Sequence, residues 1–118
     1  MRLLAVSVIA VAALNLAVSA PAQDAAKIEK GKQVYVAATP NCKVCHAIGG
    51  VGNAKGALDA VGSKLKAEEI KAWIRTPKEM AVKAKAARKP PMPAFGPDKI
   101  ADGDLDALVA YLASLTKK

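Results

Sequence analysis

The run Cys42-Lys43-Val44-Cys45-His46 constrains this chain more than any other feature. Its order and spacing match the pattern by which a c-type haem is attached. Two thiols separated by two residues reach both vinyl groups on one porphyrin edge and form thioethers there. The adjacent imidazole then falls under the iron and binds it through a ring nitrogen. Other uses of the motif fit the remaining sequence poorly. A redox-active disulfide expects a βαβ setting, and no alternating strand is evident here. A structural zinc needs four ligands, whereas the chain has two Cys and one His. The motif therefore predicts one haem c bound through Cys42 and Cys45, with His46 on the iron.

The start of the chain carries an export signature. Arg2 is followed by a nearly apolar run over residues 3–18, and Ala20-Pro21-Ala22 offers an Ala-x-Ala cleavage site before Gln23. The run falls short of the roughly 20 residues needed to cross hydrocarbon, and Asn15 interrupts it. Residues 1–22 are thus expected to be a secretory signal peptide and 23–118 one small domain; the alternative is a retained anchor. Export also predicts a periplasmic or equivalent compartment, where the two cysteines are thioethers and not a disulfide. A domain this small buries a modest share of its surface, and its aromatics are only Tyr35, Trp73, Phe95 and Tyr111. A flat apolar haem would supply the missing core.

Three segments read as helices. Over residues 24–38, Ile28, Gly31, Val34 and Tyr35 recur at spacings of three and four. Gly31 inside that stripe costs about 1 kcal/mol against Ala, so it predicts a close helix–helix approach, a tolerated surface glycine being the alternative. Pro40 and Asn41 end the helix. A second helix over 66–76, ended by Pro77, places Ile70, Trp73 and Ile74 on one face. Two readings of Trp73 stay open, a donor to a haem propionate or a plain core residue. A third helix over 102–116 has Leu105, Leu108, Val109, Leu112 and Leu115 as its stripe. Asp102, Asp104 and Asp106 near its start and Lys117 and Lys118 after its end complement the helix dipole. Between the first two helices, Gly49, Gly50, Gly52, Gly56 and Gly62 form a connection able to wrap a haem edge closely. It lacks the ending of a phosphate-binding loop.

His46 is the only histidine, which leaves Met80 and Met92 as soft side-chain ligands for the opposite haem face once the leader is removed. Met92 lies in Pro90-Pro91-Met92-Pro93, where proline fixes φ at three positions. Such a loop can hold a thioether in one place. Met80 has no comparable constraint, and either could be an ordinary gap-filling residue. Met92 is the predicted ligand. A His/Met pair raises the reduction potential and fills both axial positions.

Taken together, the residues resemble class I cytochrome c, the small monohaem type. The parts that carry the likeness are Gly31-x-x-x-Tyr35 before the Cys42-x-x-Cys45-His46 motif, Ile70-x-x-Trp73-Ile74-x-x-Pro77, and Pro91-Met92-Pro93-Ala94-Phe95 followed by Leu105 to Leu112. The resemblance spans roughly residues 27–115. It implies an all-α fold of about three main helices wrapped around one covalent haem. The first and last helices would cross, with Gly31 and Tyr35 meeting Tyr111 and Leu108, and His46 and Met92 would be axial ligands on opposite faces. Two departures are visible. Residues 36–41 form a longer link than is usual before the motif. Ala57 also stands where the family often has Pro, so the resemblance implies that the Ala57 carbonyl orients the His46 imidazole.

The precursor has 18 Lys and Arg against 10 acids, and the excess is concentrated over residues 64–89. A basic rim leading into the Met92 loop is expected to steer the protein towards acidic docking surfaces on redox partners; a merely solubilising face is the alternative. Anionic membrane surfaces are a secondary contact, and nucleic acid is not expected. The chain is thus expected to be a soluble exported electron carrier, cycling Fe(III)/Fe(II), and not an enzyme. The competing readings are a haem subunit permanently bound in a larger oxidoreductase, or a haem protein that reacts with peroxide or a small ligand. The last would need a distal acid–base group, for which no second histidine exists.

Overall fold

The structure is a computed structural model, and it describes residues 20–117, with side chains from residue 24 onward. Residues 1–19 of the predicted signal peptide therefore lie outside the described residues, whereas the backbone of its Ala20-Pro21-Ala22 cleavage site lies within them. Among those residues no helix is long and apolar enough to cross a membrane.

The fold is all-α apart from one short hairpin. Helix α1 (Ala20–Ala37) is followed by a 3-10 turn over Cys42–Val44 and by strands β1 (Ala47–Ile48) and β2 (Val51–Gly52). Then come a second 3-10 turn over Ala54–Gly56 and helices α2 (Val61–Lys64), α3 (Ala67–Arg75), α4 (Pro77–Lys83) and α5 (Asp102–Ala113). The three expected helices appear as α1, α3 and α5. Two features were not anticipated. Pro77 ends the α3 segment as expected but also opens α4, because a proline at N1 has no amide to lose and its φ already suits a helix. Gly49 and Gly50 link β1 to β2 with φ of 60° and 79°, so both central residues take the positive φ that a two-residue hairpin favours.

Helices α1 and α5 cross where the sequence places a glycine. A Cβ on Gly31 would collide with the Ala107 carbonyl and with the Tyr111 side chain. The surface-glycine alternative is thereby excluded. One turn on, Tyr35 meets Tyr111 edge to face, with centroids 6.2 Å apart and an interplanar angle of 76°. The immediate neighbour of Gly31 is Ala107 rather than Leu108, which lies deeper in the core beside Leu105.

The core joins the apolar faces of α3 and α5 to Tyr35, Phe95 and Ile100, with Leu105 and Leu108 fully enclosed. Each early acid of α5 reaches a base on another helix: Asp102 to Arg75 (2.8 Å), Asp104 to Lys30 (3.1 Å) and Asp106 to Lys71 (3.6 Å). Exposed pairs of this kind contribute about 0–1 kcal/mol each, so they orient α5 more than they stabilise it. The longer link before the motif is anchored locally, since Asn41 Nδ2 donates to the Val36 carbonyl at 2.8 Å.

Candidate haem site

The elements converge on one cavity of about 1190 Å³. That exceeds the roughly 300–1,000 Å³ of an ordinary small-molecule pocket. Cys42, Cys45, His46, Trp73 and Met92 all line it, so the predicted site residues meet in one place although up to fifty positions separate them. Met80, the rejected ligand, lies half-buried on α4 and is not part of that wall.

Local chemistry explains how the motif is presented. The side chain of Asn41 accepts from the Lys43 amide at 3.0 Å and starts the 3-10 turn. The amides of Cys45 and His46 both donate to the Cys42 carbonyl, at 3.2 and 2.9 Å. This tight turn brings both thiols and the imidazole to the same wall. Burial pushes the Cys42 thiol above its ordinary range.

His46 Nδ1 lies 2.9 Å from the Gly56 carbonyl oxygen. A carbonyl only accepts, so Nδ1 carries the proton and Nε2 keeps its lone pair for a metal. Desolvation lowers the His46 pKa, the Arg88 charge pushes the same way, and the Gly56 hydrogen bond opposes both. The ring is therefore neutral, as a metal ligand must be. The expected acceptor, Ala57, is corrected here to Gly56. Ala57 instead forms a parallel bridge with Ala47. The reason is steric: a Cβ on Gly56 would strike both the Cys45 carbonyl and the Arg88 guanidinium, so only glycine lets this backbone approach the imidazole.

The glycines divide their work differently from the expectation. Gly52 and Gly56 back onto the Cys42–His46 backbone and Gly62 packs on the end of α5, whereas Gly49 and Gly50 form the exposed hairpin tip. Two arginines escaped the sequence reading. Arg88 Nη2 donates to the Cys45 carbonyl at 2.6 Å, and Arg75 bonds the backbone beyond Met92. Charge counting lists both as basic residues, and nothing in their spacing marks them as backbone donors.

The residues fit a haem. The cavity is apolar and oversized for a domain of this length, and its wall carries two thiols, an imidazole with one free lone pair and a thioether. Tyr35 Oη is buried and has no hydrogen-bond partner among the described residues, as expected where a wall faces a missing group.

Crossed helices beneath a cavity that presents Cys-x-x-Cys-His define a c-type cytochrome domain. A family profile described as "Cytochrome C oxidase, cbb3-type, subunit III" matches residues 26–112, and the chain belongs to that family. Membership makes it a haem-binding protein of electron transfer. No curated protein and no solved structure matches the chain.

Proposed function

We propose that this chain is a soluble, exported one-electron carrier whose haem c would be attached through Cys42 and Cys45, with His46 and Met92 as the residues that would bind its iron. The observation that carries this reading is that one apolar cavity is lined by both thiols, the only histidine and the proline-framed methionine. A haem bound there supplies one reversible Fe(III)/Fe(II) electron. The protein's own residues do the rest. The Gly56 carbonyl orients His46 and raises its basicity. The Met92 thioether would serve as a soft ligand to a bound haem iron, which would favour its reduced form and leave no free site for small ligands. Leu65, Ile70, Trp73 and Phe95 line the cavity and would shield a bound haem from water, which would lower the reorganisation that electron exchange requires. No nucleophile or distal proton donor is asked of the chain, so the proposed role is that of a carrier and not an enzyme.

Partner recognition is proposed to use the basic rim. Lys78, Lys85 and Arg88 border the cavity with Glu79 as the nearby acid, a pattern suited to acidic redox partners and to transient contact with anionic membranes. Second-order electron-transfer rates should then fall steeply with rising salt; a flat profile would count against steering. The family's description as an oxidase subunit supports a second reading, a resident haem subunit of a larger complex. The free carrier is favoured because the large apolar side chains exposed among the described residues are four valines, Val36, Val44, Val51 and Val82, spread over four elements. An obligate interface is larger and more apolar than that.

Met92→Ala tests the ligand assignment. It should lower the reduction potential, abolish the weak far-red sulfur-to-iron band and open the iron to cyanide. An unchanged spectrum and potential would sink it.

A further inference from the structure

We infer that Arg75 is a positioning residue for Met92: its guanidinium, oriented by Asp102, pins the chain just beyond Met92 to α3 and so keeps the thioether in the cavity. The inference rests on the Met92 reading and deepens it. Met92 lies in a stretch over residues 84–101 that has no helix or strand. A connection of that length is uncommon in a compact domain unless it is functional and held. The flanking prolines fix its local φ angles. They do not fix where the segment sits relative to the cavity.

Arg75 does fix it. Nη1 donates to the Phe95 carbonyl and to the Ile100 carbonyl, each at 2.8 Å, and Nη2 donates to Asp102 Oδ1 at 2.8 Å. The Phe95 amide in turn donates to the Ile74 carbonyl at 3.0 Å. Both backbone polar groups of Phe95, three residues after Met92, are thus held by the last turn of α3. The Arg75 side chain is 17% exposed against 84% for Asp102, so its two bonds to the carbonyls are sheltered from water and charge-assisted, whereas the Asp102 carboxylate orients the guanidinium from the surface. One planar fork serves two carbonyls and a carboxylate, which an ammonium cannot reproduce. On the amino side, Arg88 binds the Cys45 carbonyl four residues before Met92. Met92 is suspended between two backbone anchors, one on α3 and the other on the thiol motif.

The test is a titration of the ferric, haem-loaded protein with imidazole, followed by absorption well below the unfolding temperature. Imidazole must displace the thioether to bind, so its apparent affinity reports how firmly Met92 is held. Arg75→Met should raise that affinity by about tenfold or more, the expected scale for losing charged hydrogen bonds. Arg75→Lys should give a smaller rise. In a Met92→Ala background, Arg75→Met should change the affinity less than about twofold, because no thioether remains to displace. If Arg75→Met does not fold, Asp102→Asn replaces it, and a several-fold rise confined to the Met92 background is expected. Unchanged affinity in these variants, or an equal rise with and without Met92, would overturn the inference alone. A Met92→Ala protein with the natural spectrum and imidazole affinity would overturn the Met92 reading and this inference with it.

Discussion

Tyr35 is the one buried side chain whose polar atom lacks a partner among the described residues, and burial pushes its phenol up to about 12 from the ordinary 10. Neighbouring Cys42, Tyr111 and Asp59 add to that rise. A native pKa above the unfolded one means the folded state keeps a proton that the unfolded chain has already lost. Tyr35 thus contributes stability below pH 10 that is lost progressively as pH rises towards about 12. Tyrosinate absorbance should show one tyrosine titrating late, together with loss of the fold, and Tyr35→Phe should remove that step. A late step that survives in Tyr35→Phe would belong to another group. The same residue marks a limit of reading the sequence. The 3.6-residue period placed Tyr35 on the buried face of α1, but only three-dimensional packing reveals that its hydroxyl is left unmatched.

At the level of elements, the contact between α1 and α5 turns on Gly31. If that glycine merely sat on a surface, Gly31→Ala would stabilise the helix by about 1 kcal/mol. Its Cβ would instead meet the Ala107 carbonyl, so the substitution should destabilise by roughly 1–3 kcal/mol. Thermal unfolding of the haem-loaded protein would register this as a fall of about 4–8 °C for each kcal/mol, and the sign alone decides between the two readings. Much of this level was legible beforehand. The stripes of α3 and α5 and the glycine in α1 are local patterns, and local patterns survive into the fold. What stayed hidden depends on distant backbone: the Gly56 carbonyl beneath His46, the Arg88 bond to Cys45, and the Arg75 fork. Helix α4 was hidden for a different reason, since Pro77 reads equally well as the end of one helix and the start of the next.

The whole molecule is organised around a space its own side chains do not fill. Its wall is largely apolar, and a domain held by only roughly 5–15 kcal/mol is strongly destabilised when that much apolar surface is left facing water. The haem-free chain should therefore collapse or unfold, and its circular dichroism should melt without a cooperative transition; a sharp melt matching that of the haem-loaded form would refute this. The cavity and the Cys-x-x-Cys-His motif thus express one requirement, a fold completed by a bound group. The most direct test is the absorption spectrum of the haem-loaded protein, oxidised and then reduced, with no ligand added. A low-spin spectrum with the weak far-red sulfur-to-iron band is the predicted result, and it would place His46 and a thioether on the iron of an electron carrier. A high-spin spectrum that shifts on adding cyanide or CO would contradict it and point to an open iron that binds small ligands.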